Sequence, residues 1–133
     1  MICLDNDVFS RYASQESYPA VSDYLAAHST EPWLLPSIVL FEYLQRYSAH
    51  NTIQTERRTV EDAIDGIIPV DADVATQAAN LRTRLASAGT SLAVPDLLIA
   101  AAAREHGCTL ATRNKTDFDK QPIHELLSVD IVQ

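Results

Sequence analysis

Glycine is nearly absent from this chain: three in 133 residues, at positions 66, 89 and 107. A loop that wraps phosphates in backbone N–H groups needs glycines close together, so phosphate-cradling loops of the nucleotide-binding kind are excluded. Lysine is scarcer still, with Lys115 and Lys120 against eight arginines. Positive charge is short overall, since the formal net charge is −8. That excludes a broad electrostatic nucleic-acid surface, though not local or metal-mediated phosphate contacts. The two cysteines, Cys3 and Cys108, lie in apolar, strand-like runs and read as buried free thiols in a reducing compartment. No apolar run approaches the ~20 residues of a membrane span. The opening Met1-Ile2-Cys3-Leu4-Asp5 has no basic segment and meets an acid at once, so no signal peptide is expected and the expected location is cytoplasmic. His28, His50, His106 and His124 are scattered, without zinc spacing, and no Ser–His pair stands out as a nucleophile.

What the chain does have is a set of acids at the ends of apolar segments. The most informative stretch is Val94-Pro95-Asp96-Leu97-Leu98-Ile99-Ala100-Ala101-Ala102-Ala103. Proline is tolerated in a first helical turn, where N–H groups lack intrahelical partners. The apolar run behind it predicts a buried helix, and its four alanines permit close approach to a neighbour. Asp96 therefore opens a buried helix, where the dipole favours a negative charge. A simple capping carboxylate is the plain alternative.

In chain order, Met1–Leu4 reads as a buried strand and Val8–Tyr12 as a helical turn or two. Pro19–His28 reads as a helix with Val21, Tyr24 and Leu25 on one face. Trp33–Leu35 predicts a second strand stopped by Pro36, and Ser37 caps a helix carrying Ile38, Phe41, Leu44 and Tyr47. Residues 48–52 form a polar break, and Thr52–Ile64 is a charged helix ended by Gly66. Ile67–Val70 is a third strand, short or at the sheet edge because of Pro69. Asp71 caps a helix from Ala72 to about Ala88, stopped by Gly89. After the Pro95 helix and Gly107, Cys108–Thr112 forms a fourth strand. A turn, a short helix near Pro122–Leu127 and a last strand at Val129–Val132 complete the chain. Such alternation predicts parallel βαβ units, hence a single three-layer α/β domain over 1–133 with a parallel sheet of about four or five strands.

On that scaffold Asp5 ends the first strand, Asp117 lies just past the fourth, Asp96 opens the helix feeding the fourth, and Glu42 projects from the helix after the second. Open parallel sheets bind ligands beyond the carboxyl ends of their strands, where strand order reverses. If the first and fourth strands are neighbours, Asp5, Asp96 and Asp117 converge. Glu42 sits in an apolar turn, and an i,i+4 ion pair with Arg46 would explain it only if it faced water, for a few tenths of a kcal/mol. Buried and unpaired, it would be costly without a cation. Clustered carboxylates repel unless a hard divalent ion neutralises them, which points to metal-assisted hydrolysis of a phosphoryl compound.

Four segments carry a resemblance. Leu4-Asp5-Asn6-Asp7-Val8, Glu42 in its helix, Pro95-Asp96-Leu97-Leu98-Ile99-Ala100, and Ala111-Thr112-Arg113-Asn114-Lys115-Thr116-Asp117-Phe118 resemble the PIN domain, and more narrowly the VapC toxins of type II toxin–antitoxin modules. The resemblance spans essentially the whole chain, in order. It implies an endoribonuclease dependent on Mg²⁺ or Mn²⁺ that hydrolyses RNA phosphodiester bonds with a metal-activated water. Asp5, Glu42, Asp96 and Asp117 match the acidic quartet, with Asp5, Asp96 and Asp117 as the metal ligands. Asp7, Thr112 and Asn114 match positions that support the site. One departure is visible: many relatives have glycine after the helical glutamate, where this chain reads Tyr43-Leu44-Gln45-Arg46.

With so little positive charge, RNA contact is expected from Arg113 and Lys115 beside Asp117 and from Arg46 near Glu42. The resemblance further implies a cognate VapB-type antitoxin lying over the active-site groove, and a homodimer. Tyr43 and Tyr47, one turn apart on the Glu42 helix, are candidate aromatic anchors for that partner, with helix packing as the plain alternative. Two other readings compete. Asp5-Asn6-Asp7-Val8 also fits the opening of haloacid-dehalogenase-like phosphatases, but those need a downstream lysine and a paired acidic motif. Lys115 and Lys120 are the only lysines, and Asp96 has no acidic neighbour in its turn. A non-catalytic PIN-like domain binding RNA or protein is the other, although a binding scaffold has no reason to gather uncompensated carboxylates.

Overall fold

The computed structural model describes residues 1–133. Its elements run β1 (Ile2–Leu4), α1 (Asn6–Tyr12), α2 (Pro19–Ala27), β2 (Trp33–Pro36), α3 (Ser37–Leu44), α4 (His50–Ala63), β3 (Gly66–Ile68), α5 (Ala72–Ser87), α6 (Val94–Glu105), β4 (Thr109–Thr112), α7 (Lys115–Phe118), α8 (Gln121–Leu126) and β5 (Val129–Ile131). All strand pairings are parallel, in the order β3-β2-β1-β4-β5. The central strand explains its own composition: Ile2, Cys3 and Leu4 are fully buried, as a parallel strand covered on both faces requires.

Chain order reverses between β1 and β4. β2 follows β1 on one side, and the chain returns to place β4 on the other, with Leu4 opposite Ala111. The expected neighbourhood of first and fourth strands is therefore present, and the crevice beyond Leu4 and Thr112 is the switch point.

α6 packs against α5, α3, β2 and β4. Ala100 to Ala103 are all fully buried, so the alanine run brings the helix axis close to its neighbours. α5 answers with Val74, Ala78, Leu81 and Leu85, spaced at one helical face. Gly89 and Gly107 adopt φ of 71° and 64° just past the ends of α5 and α6, the left-handed step that releases a helix. Both cysteines are buried and free. No helix is long and apolar enough to cross a membrane.

Several local expectations need correction. Pro36 does not stop β2 but is its last residue, paired with Ile68, and it holds the N-cap position of α3. Ser37 is therefore inside the helix, and its Oγ accepts from the Val70 N–H at 3.1 Å instead of capping. The charged helix begins at His50, which shortens the polar break. Gly66 opens β3 rather than ending α4, whose C-cap is Ile64 in extended conformation. β3 stops at Ile68, so Pro69 lies beyond a short edge strand. The turn after β4 contains a short helix, α7, which Asn114 caps.

Candidate active site

Asp5 leaves the sheet where β1 ends, and its main chain still bonds the neighbouring strand: Asp5 N–H donates to the Ala111 carbonyl at 3.0 Å. Its side chain caps α1 through Asn6 N–H, 2.8 Å from Oδ1. Oδ2 accepts from the hydroxyl of Thr112 at 2.8 Å. Thr112 is fully buried, and its Oγ1 also receives Asn114 N–H at 3.0 Å. Asp5 is only 6% exposed. Burial pushes its carboxyl up from 3.8 to about 7, helped by the charges of Asp7 and Asp96 and opposed by its two hydrogen bonds.

Asp117 is anchored in a similar way. Asn114 uses both ends of its amide: Oδ1 accepts from Asp117 N–H at 3.2 Å, and Nδ2 donates to Asp117 Oδ2 at 2.8 Å. The cap that starts α7 thus also fixes the orientation of the carboxylate. Asp7 belongs to the same network. Its Oδ1 accepts from Arg113 N–H at 3.0 Å, with Thr112 Oγ1 a longer 3.5 Å from Oδ2.

Asp96 and Glu42 come from the helical side and have no such partners. Asp96 is in the first turn of α6, but no side chain caps that helix, so the simple capping alternative fails. Its carboxyl is pushed upward by burial and by the charges of Asp117 and Asp7, and no hydrogen bond opposes the shift. Glu42 is half-buried, and its Oε1 is sealed from solvent without a hydrogen-bond partner. Burial, then Asp96 and Asp7, push its carboxyl upward. The i,i+4 ion pair is absent, because Arg46 turns away: its Nε donates to the Tyr43 carbonyl at 3.1 Å.

The fold therefore brings Asp5, Asp7, Glu42, Asp96 and Asp117 within electrostatic reach of one another, with Thr112 and Asn114 behind them. No three of them stand at metal-ligand spacing. Every donor is a hard oxygen, and a buried, unpartnered carboxylate oxygen faces this chemistry, which fits a small divalent cation. Asp7, expected at a supporting position, enters as a fifth acid, carried beside Thr112 and Arg113 by the β1–β4 pairing.

Of the expected RNA contacts, Arg113 is half-buried, with Nη1 on the Val132 carbonyl at 3.2 Å, while Lys115 and Arg46 are exposed. The aromatic expectation divides. Tyr43 is buried at 6% exposure, with its ring edge-on to Phe9 at 5.1 Å, so it is a core residue and no partner anchor. Tyr47 instead lines an open groove of about 410 Å³ between α3 and α4, with Leu40, Phe41, Leu44 and Ile53.

Residues 2–123 match the family model of the PIN domain. No curated protein sequence matches significantly. Among solved structures, the chain is similar to FitAcB from Neisseria gonorrhoeae, with 24% identity, coverage of 97% of this chain and 96% of that one, and a TM-score of 0.74. It is equally similar to VapBC2 from Rickettsia felis bound to a promoter DNA fragment, with 24% identity, 98% coverage of both chains and a TM-score of 0.74. VapBC-5 from Mycobacterium tuberculosis, a member of the VapBC family of toxin–antitoxin systems, is 27% identical, with 98% and 96% coverage and a TM-score of 0.62.

Proposed function

This chain belongs to the PIN domain family, and we propose that it is a Mg²⁺- or Mn²⁺-dependent endoribonuclease, the toxin of a toxin–antitoxin pair. The observation that carries the reading is Glu42 Oε1, buried and unpartnered with the charges of Asp96 and Asp7 near it. An uncompensated carboxylate of this kind is costly to hold unless a cation completes it. Asp5, Asp96 and Asp117 would hold the ion, with Glu42 acting directly or through water. When bound, it supplies charge neutralisation and Lewis acidity for hydrolysis of a phosphodiester.

The chain's own residues prepare that chemistry. Thr112 and the Asn6 N–H hold the Asp5 carboxylate in one orientation, and Asn114 does the same for Asp117. Arg113, Lys115 and Arg46, close in sequence to the acids, take up phosphates of the strand. Hydrolysis by in-line attack of water leaves a 5′-phosphate and a 3′-hydroxyl. Incubation of the purified protein with an RNA pool tests this directly. Cleavage is expected with Mg²⁺ or Mn²⁺ and is lost in EDTA and in Asp96→Asn; full activity in EDTA would overturn the reading.

The toxin assignment draws on the similarity to VapBC and FitAcB structures, and on an acidic cleft that attracts a cationic peptide. A small antitoxin covers the cleft, its apolar residues lying in the groove of Leu40, Phe41, Leu44, Tyr47 and Ile53, on a homodimer of this chain. Co-expression with the adjacent reading frame should yield a complex without nuclease activity. A chain that is harmless alone and has no such partner would remove the toxin assignment and leave the nuclease.

A further inference from the structure

Beside the carboxylates lies a second, oppositely charged pocket. Ser10, Arg11, Ala13, Ser14 and Tyr18, with Arg46 from α3, line an open cavity of about 320 Å³. The two guanidinium groups are oriented without being neutralised. Arg11 Nη1 donates to the Asp7 carbonyl at 2.8 Å, and its guanidinium carbon lies 5.4 Å from the centre of the Tyr18 ring. Arg46 Nε donates to the Tyr43 carbonyl, and its guanidinium carbon sits 4.2 Å from the centre of the Tyr43 ring. Neither forms an ion pair; the ion pairs of the fold involve Met1, His28, Arg57 and His124. Main-chain carbonyls and ring faces hold a guanidinium in place and leave several of its five N–H donors free. One exposed acid is near, Glu16, whose Oε2 accepts from the Tyr18 hydroxyl at 2.9 Å and whose N–H is bonded to Ser14 Oγ.

Placement matters as much as charge. Asp7 and Arg11 are four residues apart on α1, and Glu42 and Arg46 are four apart on α3. Both helices thus carry a carboxylate and, one turn onward in sequence, an arginine. We propose that the Arg11–Arg46 pocket binds the phosphate next to the one that is cleaved, and so sets the path of the RNA strand across the site. The inference rests on the nuclease reading above and deepens it. The planar fork of arginine suits a phosphate, and the donor set of Ser10, Ser14 and two guanidiniums suits an anion. An acidic side chain of a protein partner is the competing occupant, and continuity with the carboxylates favours the strand.

The test is cleavage kinetics on one single-stranded RNA over a range of salt. Arg11→Gln, Arg46→Gln and the double variant are compared with the wild type and with Arg84→Gln, which lies in a separate polar pocket on α5 and α6. Each single change is expected to raise KM about tenfold with little change in kcat, as loss of a charge-assisted contact does. The slope of log kcat/KM against log salt should fall by about 0.7 for the phosphate lost, with Arg84→Gln unchanged. Arg46 is exposed, so its single variant carries the test if Arg11→Gln disturbs α1. Unchanged KM and slope in an active enzyme would overturn the pocket alone. Loss of antitoxin binding with unchanged KM would also overturn it, in favour of a protein occupant. If the wild type cleaves no RNA with either metal, the nuclease reading falls and this inference falls with it.

Discussion

The acidic site has two unlike halves. On the strand side, Asp5, Asp7 and Asp117 each accept hydrogen bonds from Asn6, Thr112, Arg113 or Asn114. On the helix side, Asp96 and Glu42 accept none, and one Glu42 oxygen is sealed from solvent. N–H and O–H donors favour the ionised form and oppose burial, as at Asp5, whose carboxyl burial still pushes up to about 7; at Asp96 and Glu42 nothing opposes burial and neighbouring charge. The difference teaches that the protein itself positions one half of the site, and on the reading proposed above a cation completes the other. Helices α3 and α6 supply charge without the donors to satisfy it, and a cation has the matching chemistry.

The strongest way to break this comparison is to remove a member of the bonded half. Asp5→Asn should lower RNA cleavage on the order of 10²–10³-fold, with the far-ultraviolet circular dichroism unchanged. At pH 7.5 in EDTA the same variant should be more stable than the wild type, since it removes the cost of ionising a buried carboxyl. Loss of activity together with loss of fold would show that Asp5 is structural.

The metal-free protein should also lose stability as pH rises. Between the ordinary carboxyl value of 3.8 and about 7, folded Asp5 keeps its proton while the unfolded chain has released it. The folded state binds more protons in that window, so stability is fully present below about pH 4 and declines towards pH 7. Asp5 alone contributes up to about 4 kcal/mol to this decline. Denaturant titrations in EDTA at pH 4.5 and 7.5 measure it, and Asp5→Asn should flatten the trend. A wild type equally stable at both pH values would deny the burial of this charge.

Thr112→Val sharpens the comparison, because it makes Asp5 resemble the helix-side acids. The change removes the hydroxyl that donates to Asp5 Oδ2 and receives Asn114 N–H. A cost of about 1–3 kcal/mol is expected from chemical denaturation, with a further upward displacement of the pH midpoint in EDTA. A neutral effect would mean that the bond does not position Asp5. The smallest effect is expected from Asn114→Ala, about 1 kcal/mol for the lost cap of α7, with reduced cleavage because Asp117 is released. Stability loss without reduced cleavage would separate the cap from the site.

The bonded half was more legible in the sequence than its mechanism. Asp5 and Asp117 follow apolar strand runs, and Asp96 follows a proline at a helix start, so each acid could be placed at the end of an element. Their convergence depended on β1 lying beside β4, a long-range pairing that periodicity implies only through the fold class. Local hydrogen-bond roles were less visible. Ser37 looks like a cap, yet Pro36 takes that position because β2 runs directly into α3. Tyr43 and Tyr47 are one turn apart and look equivalent, but Phe9 of α1 covers only the first. The resemblance marks Asn114 as supporting, whereas its double use of one amide needs the four-residue helix α7, too short to show a period. Arg11 and Tyr18 carried no signal, since their pocket forms only where α1 packs on α3.

The central claim is that the unpartnered half is completed by a divalent cation, and thermal unfolding tests it without recourse to activity. At pH 7.5, millimolar Mg²⁺ or Mn²⁺ should raise the unfolding midpoint of the wild type by several degrees, as any ligand of the folded state must. It should do so far less in a Glu42→Gln, Asp96→Asn double variant, whose metal-free form is already stabilised. An unfolding midpoint that neither metal moves in the wild type would contradict the account.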